Sequence, residues 1–459
     1  VTIQLRDSQR VALDRLTEPG RTFAALWAEP RSGKTAVALR WLQHIQPGVA
    51  VVVGPKIAEL TWRTEAAKWL NTTYRFFPLT VGNSHPTPAM FKGLTILFVN
   101  YEQFGKAPFK NLKPFLDKMS KHAKGRGAML LDESHAIKTP SSKIGRNIRP
   151  LASSWKYRLL MTGTPVTNPN QIDAVYGQWT FLDPSIRDKW ATARDFREHF
   201  GEWTNVKGFP ELIRPRNQYE LNHYIQQHVI TMTGAGEAVP IRRIRYPVPD
   251  QVQADLRRLL KKGVLDTHGH TVAALNPLTR LLRMRTLVAG WVTSDEDIRF
   301  TVPEASRPRL AALGYVIRRK CEGKVIVACT HLWEIERVSR WLTRRGIGYL
   351  TITGATKDKN AAIEEFQVDR EARVLLVQPR TVAMAVDISV ANDLIWYTSD
   401  FNYVTFKQAS DRIKLSPAKP TVWFICGRDT VDEDVWKTLQ EDHDHLAKVI
   451  ARIRKERMV

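Results

Sequence analysis

The chain has 459 residues, with 69 Lys and Arg against 46 Asp and Glu, a formal net charge of +23. At 43% hydrophobic and 25% charged residues it has the make-up of a folded protein, which excludes a chain that is disordered or collagen-like throughout. That length suits two large domains or about three average ones, and so basic a surface points to a polyanionic partner, nucleic acid ahead of acidic membrane.

Taken in chain order, short β-branched runs predict strands at Phe23–Trp27, Val49–Val53, Thr95–Val99, Ala128–Leu131 and Arg158–Met161. From Gln171 to about Arg309 such runs fade, and apolar residues at helical spacing stand beside Arg and Lys. This middle is expected to be helical and basic, with Arg242-Arg243-Ile244-Arg245, Arg257-Arg258 and Arg280 to Arg285 as its charged stretches. Thr231–Pro240 is the expected linker, because Gly234, Gly236 and Pro240 break both patterns. A second strand set follows at Lys324–Ala328, Tyr349–Ile352, Arg373–Val377, Asp393–Tyr397 and Thr421–Ile425. Strands alternating with amphipathic helices predict an α/β fold of parallel sheets covered by helices. Cys321, Cys329 and Cys426 lack paired short spacing, so they are expected to be buried small hydrophobes in a reducing compartment, with no disulfide framework and no structural zinc. No apolar run approaches the ~20 residues that span a bilayer, and Val1–Arg10 lacks a signal core, so a soluble intracellular protein is expected.

Two segments of the first half carry chemistry. Ala28-Glu29-Pro30-Arg31-Ser32-Gly33-Lys34-Thr35 lies between a predicted strand and the helix-forming run Ala36–Leu42. It resembles a phosphate-binding loop, although Ala28 replaces the usual first glycine. Taken alone, a Gly-Lys-Thr turn is also readable as a plain helix start. Further on, the apolar strand ending at Leu131 runs into Asp132-Glu133-Ser134-His135. An isolated Asp-Glu pair reads as a solvated turn, but behind a phosphate loop in the same sheet it supplies one carboxylate for a cation and one for water.

The succession of these segments resembles the Swi/Snf-type ATP-dependent DNA translocases of helicase superfamily 2. Leu5-Arg6-Asp7-Ser8-Gln9 is similar to that family's adenine-reading motif, and Val53-Gly54-Pro55-Lys56, with Trp62, Glu65 and Lys68-Trp69-Leu70, to its first DNA-contact motif. Asp132-Glu133-Ser134-His135-Ala136-Ile137-Lys138 resembles its Asp-Glu-Ala-His box, and Thr162-Gly163-Thr164-Pro165 its coupling motif. In the later half, Gly323–Thr330, Thr353-Gly354-Ala355-Thr356, Arg380 to Ser389 and Gln408-Ala409-Ser410-Asp411-Arg412 follow the order of its second lobe.

The resemblance implies two RecA-like parallel-sheet lobes of the P-loop NTPase type with helical insertions between them: lobe 1 over residues 1–236 with a protrusion at about 171–230, and lobe 2 over 237–459 with a protrusion at about 250–310. ATP and Mg2+ are the implied cofactors. Gln9 would read adenine; Arg31, Ser32, Gly33, Lys34, Thr35, Asp132 and Asp387 would hold the nucleotide; and Thr35 with Asp132 would hold the metal. Glu133 would orient the attacking water, Lys34 and Arg412 would offset phosphate charge, and Gln408 would assist them. His135, Thr162, Gly163 and Thr164 would couple the nucleotide to nucleic acid held by Lys56, Lys138, Thr353 and Arg380. The pattern departs from the family at Leu415, which stands where a second arginine is usual, and at Val382, Ala383 and Ala385, which replace glycines. The expected activity is ATP-driven, monomeric translocation on double-stranded DNA, including branched substrates that are remodelled or annealed, with single-stranded DNA as a further partner and no membrane partner, by a compact form of viral or bacterial origin. A strand-separating helicase on DNA or RNA, a motor subunit of a restriction or repair complex and a nucleotide-gated DNA scaffold are the alternatives. Trp62, Trp69 and Trp179 sit among apolar neighbours and are expected in cores rather than against bases.

Overall fold

A computed structural model of the chain describes residues 4–29, 32–79, 85–105, 109–163, 172–206, 209–232, 239–267, 269–274, 276–379, 390–413, 416 and 419–440. It divides into two compact units, Val1–Ala235 and Gly236–Val459.

In the first unit the strands are β1 (Phe23–Ala28), β2 (Val49–Gly54), β3 (Tyr74–Leu79), β4 (Leu94–Asn100), β5 (Ala128–Asp132), β6 (Tyr157–Thr162), β7 (Gly201–Val206), β8 (Phe209–Pro215) and β9 (Val229–Met232). Seven of them form one sheet in the order β3-β4-β2-β5-β6-β1-β9, with every pairing parallel. A parallel sheet needs cover on both faces, and the strand sequences supply it through the two-residue alternation of side chains. In β2, Val49, Val51 and Val53 enter one core with Leu116 and Trp155, while Ala50 and Val52 enter another with Val37 and Trp62. Met129 and Leu131 of β5 join the first core, and Ala128 and Leu130 the second. Trp62 and Trp179 are fully buried and Trp69 nearly so, as expected of core residues.

The second unit holds β10 (Ile241–Tyr246), β11 (Val264–Thr267), β12 (His270–Ala273), β13 (Trp291–Thr293), β14 (Arg299–Thr301), β15 (Val325–Ala328), β16 (Tyr349–Ile352), β17 (Val374–Val377), β18 (Asp393–Trp396) and β19 (Thr421–Gly427). Six of these make another all-parallel sheet, ordered β10-β19-β18-β15-β17-β16. Ile326 and Leu375 face one core and Val325 and Val374 the other. A separate core under Asp250–Lys262 and Pro277–Val288 gathers Leu256, Leu259, Leu281 and Leu287. All three cysteines are buried and free, and burial raises each thiol above its ordinary range.

Each of the ten strands expected from sequence is present, and the α/β class holds. The middle of the chain departs from the expectation of a strand-free region. Helices dominate it, but antiparallel pairs β7–β8, β11–β12 and β13–β14 are interleaved with them. The stretch Arg242-Arg243-Ile244-Arg245 is not helical but lies in β10, at one edge of the second sheet. The edge position leaves one side of this strand uncovered, so arginines are tolerated. Their long stems fold back, Arg242 over Trp423 and Arg243 over Trp436, while Arg245 pairs with Glu433 at 2.6 Å. The expected linker starts inside β9 at Thr231, and residues 233–238 of it lie outside the described residues.

Candidate active site

The strand order places four chain segments side by side at one sheet edge. β2, β5, β6 and β1 are consecutive neighbours, so their carboxyl ends deliver Lys56, the Asp132-Glu133 pair, Thr162 and the Ser32–Thr35 turn in a row. Neighbouring parallel strands lie about 4.8 Å apart, which brings the row within reach of one small ligand.

The turn is shaped by Gly33, whose φ of 78° is left-handed and which caps the helix Lys34–Ile45. A Cβ there would lie 2.1 Å from Gln9 Nε2, so any other residue would both strain the left-handed backbone and displace the Gln9 amide from the turn. Gln9 is buried, and its amide is spent locally. Its Nε2 donates to the Ser32 carbonyl at 3.1 Å and its Oε1 accepts from the Arg6 backbone N–H at 2.9 Å. The first helix, Asp7–Leu16, is thereby fastened to the turn. Ser32 Oγ is buried without a hydrogen-bond partner among the described residues. Thr35 follows Lys34 in the first turn of the helix and is half-buried.

Lys34 reaches across to the acid pair. Its Nζ lies 3.3 Å from Asp132 Oδ1 and bonds directly to Glu133 Oε1, with the lysine side chain 19% and the glutamate 25% exposed. Burial works to lower the lysine pKa, but the two carboxylates outweigh it and raise it above its usual value. Burial likewise works to raise Glu133, yet Lys34 and then His135 hold its carboxyl well below the ordinary range. Glu133 is thus an ionised acceptor, held in a left-handed backbone conformation with φ 53°. Its Oε2 is buried, 3.4 Å from His135 Nδ1 but without a formed hydrogen bond. That same nitrogen lies 3.2 Å from Thr162 Oγ1, which links the acid box to the end of β6.

Asp132 is fixed from two further sides that sequence reading did not assign. The indole N–H of the fully buried Trp62 donates to Asp132 Oδ2 at 3.0 Å. The Tyr101 hydroxyl donates to the Asp132 carbonyl at 2.9 Å. With Oδ1 accepting from the Glu133 N–H at 3.0 Å, the carboxylate has a single orientation. The segment beyond the box is held just as firmly. Ser134 donates to Gln178 Oε1 at 2.8 Å, and Gly177 packs so close that a Cβ would meet the Lys138 carbonyl at 2.2 Å. Buried Arg149 donates to the carbonyls of Gly177 and Pro140 at 2.8 and 2.7 Å, and to those of Ile137 and Thr139 at 2.8 and 2.9 Å. No motif includes Arg149, which is why its role was not visible in the sequence.

Unmatched polar atoms gather where a phosphate and a hydrated cation would sit. Among the described residues the buried Ser32 Oγ and Glu133 Oε2 lack hydrogen-bond partners, Lys34 supplies the charge, and the turn leads into a helix N-terminus. Asp132 and Thr35 are hard oxygen donors of the kind Mg2+ takes. These residues therefore fit a nucleotide and its metal.

The other expected positions are more scattered. Lys56 is exposed just past β2, and Lys138 is half-buried, with its pKa lowered by that burial. Gly163 follows β6 directly. In the second unit, Thr353 follows β16 and its Oγ1 accepts from the Ala355 N–H at 3.2 Å. Gln408 lies in the helix Tyr403–Asp411, and Arg412 caps that helix, half-buried. Arg31, Thr164, Arg380, Asp387 and Leu415 lie outside the described residues.

Comparison with known proteins gives two family matches: the SNF2-related domain over residues 26–238 and the helicase conserved C-terminal domain over residues 308–414. Among curated proteins, the chain is 21% identical to a SWI/SNF-related matrix-associated actin-dependent regulator of chromatin subfamily A-like protein 1 of Drosophila melanogaster, over 70% of this chain and 41% of that protein. It is 21% identical to the DNA repair and recombination protein RAD54 of Oryza sativa subsp. japonica, over 87% of this chain and 45% of that one. The chain spans less than half the length of each of these relatives. Among solved structures, the SWI2/SNF2 ATPase core of Sulfolobus solfataricus in complex with dsDNA aligns with 15% identity and a TM-score of 0.41, covering 99% of this chain and 94% of that one. No helix among the described residues is long and apolar enough to cross a membrane.

Proposed function

Because this chain joins a SNF2-related domain to a helicase C-terminal domain, it belongs to the SNF2-type proteins of helicase superfamily 2, and we propose that it is an ATP-hydrolysing motor that moves along double-stranded DNA. The observation that carries the hydrolytic part is the Lys34, Asp132 and Glu133 cluster at the mouth of the Gly33 turn. With nucleotide bound, Lys34 would leave its carboxylates for the outer phosphates, Thr35 and Asp132 would hold Mg2+, and the ionised Glu133 would orient a water and take up its proton as the water oxygen bonds to the terminal phosphorus and the bond to the leaving ADP breaks. Mg2+ held there would supply charge neutralisation on the phosphates. Trp62 keeps Asp132 in its one orientation throughout. His135, set between Glu133 and Thr162, is positioned to report the state of the site to β6 and the segment after it.

The duplex partner is supported by the net charge of +23 and by the family, with Lys56, Lys138, Thr353 and Arg380 as proposed backbone contacts and Gln408 and Arg412 as proposed catalytic side chains of the second unit. Remodelling of branched DNA or strand annealing is the finer activity we propose for it. The test is ATP turnover with duplex DNA, forked DNA, single-stranded DNA and RNA, together with triplex displacement. Duplex stimulation with triplex displacement is expected, and stimulation by RNA alone would refute the reading. Lys34→Ala and Glu133→Gln are expected to abolish turnover while leaving nucleotide-independent DNA binding in place.

A further inference from the structure

The second unit carries a cationic pocket whose lining includes none of the motif residues among the described residues. It lies between the helices Pro303–Arg319 and Leu332–Thr343, has a volume of about 380 Å³ and is lined by five arginines and two tryptophans. Arg337 forms part of its floor, anchored to the Gly290 carbonyl at 2.7 Å and to Thr301 Oγ1 at 2.8 Å. Arg345 lies over the ring of Trp341, 4.2 Å from its centroid. Among the described residues, Arg307, Arg344 and Arg345 have no acidic partner, and only Arg340 is paired, with Glu336 one helical turn away at 3.4 Å. Trp333 lines the same pocket, and its indole N–H is buried without an acceptor among the described residues. The pocket therefore holds three arginines without an acidic partner and one indole donor without an acceptor among the described residues.

We infer that this pocket is a second nucleic-acid contact face, which seats backbone phosphates of the duplex away from the motif contacts. A pocket of this volume would also suit a small anion. The arrangement favours a polymer because Arg307, Arg344 and Arg345 are exposed, standing where a strand passing over the surface meets them. Arg337 and Arg340 of the helix Leu332–Thr343 and Arg344, its C-cap, also recur at spacings of three and four residues, a stripe of about 10 Å at 1.5 Å per residue. Guanidinium groups match phosphate oxygens in a fork, and such contacts read no base, as a sliding motor requires.

This assignment rests on the duplex reading above, and the experiment separates the two. Duplex affinity is measured by anisotropy of a labelled duplex, between about 50 and 200 mM salt, for the full chain and for the triple variant R307A/R344A/R345A. The variant is expected to lose at least about tenfold in affinity, and its salt slope to shrink by roughly 2.7, three contacts at about 0.9 each. Its ATP turnover without DNA is expected to be unchanged. Trp333→Phe, which keeps the ring and deletes the N–H, is expected to weaken binding about two- to tenfold. A triple variant that matches the parent in affinity and slope refutes the second face while the motor reading stands. A parent that shows no salt-dependent duplex binding defeats both. Inorganic pyrophosphate binding that the variant loses, with duplex affinity unchanged, overturns the nucleic-acid assignment in favour of a small-anion site.

Discussion

Removing the Lys34 ammonium from beside two carboxylates tests the electrostatics of the site without any ligand. Lys34→Met keeps the length of the side chain and deletes its charge. Asp132 is 5% exposed, and Glu133 has a buried oxygen with no hydrogen bond among the described residues, so both lose their compensating cation in a site with little water. Breaking one partner out of a buried ion pair costs about 3–5 kcal/mol, and the partial exposure of Lys34 and Glu133 brings the expected loss nearer ~2–3 kcal/mol. For a unit the size of Val1–Ala235 that corresponds to a fall in melting temperature of about 4–12 °C. The sign of its pH dependence follows from Glu133. In the parent its pKa is depressed, so its stabilisation is complete above the ordinary value of 4.5 and lost as pH falls below it. In the variant, burial favours the neutral acid and the pKa rises. The deficit is then full near pH 8 and narrows as pH falls toward about 5. Adding Glu133→Gln to Lys34→Met should restore about 2 kcal/mol, because the uncompensated charge is gone. Thermal and urea denaturation of the nucleotide-free protein at both pH values supply the measurement. If Lys34→Met melts with the parent near pH 8, or its deficit does not narrow toward pH 5, or Glu133→Gln fails to rescue it, the ion-pair account is wrong.

Trp62→Phe should remove a charge-assisted hydrogen bond worth about 1.5–3 kcal/mol and raise the half-saturating Mg2+ concentration about tenfold with a smaller effect on maximal turnover; an unchanged Mg2+ titration would deny Trp62 any part in holding Asp132. Gly33→Ala puts a Cβ on Gln9 Nε2 and forces alanine to a φ of 78°, so fluorescent-nucleotide binding should be lost. Combining it with Gln9→Ala relieves the clash but leaves the backbone strain of about 1–2 kcal/mol and removes the side chain expected to read adenine, so binding should stay below the parent's. Leu415→Arg, which restores the family's second arginine, is expected to leave DNA-stimulated phosphate release undiminished or raised; a large loss would show that the last motif is misplaced.

The sequence was most legible where one physical signal acted alone. Val49–Gly54 is six consecutive residues that are small or β-branched, and no helix-forming pattern competes with it. The acid box was legible because it closes such a run at Asp132. β10 was not, since three of its six residues are arginines, and only the pairing with β19 and the rings of Trp423 and Trp436 make them acceptable in a strand. The supports of the site escaped for a different reason. Trp62 lies 70 positions before its carboxylate partner, so spacing along the chain contains no trace of the contact. It reads as core, and it is core; the indole nitrogen adds a function that burial alone does not reveal. The second unit's cationic pocket was equally hidden, because its arginines come from two helices and appear in sequence as separate surface charges.

Arg149 has a consequence for how the protein tolerates change. All four of its acceptors are backbone carbonyls, at Ile137, Thr139, Pro140 and Gly177, and every amino acid supplies a carbonyl. The identities of Thr139 and Pro140 are therefore weakly constrained by this clamp, whereas the arginine is strongly constrained: a lysine ammonium offers three donors from one point and lacks the planar fork. As far as this clamp is concerned, the segment that leaves the Asp132-Glu133 pair is thus free to drift in composition while keeping its course. Inheritance of that course is concentrated in one side chain, 16 residues beyond Glu133.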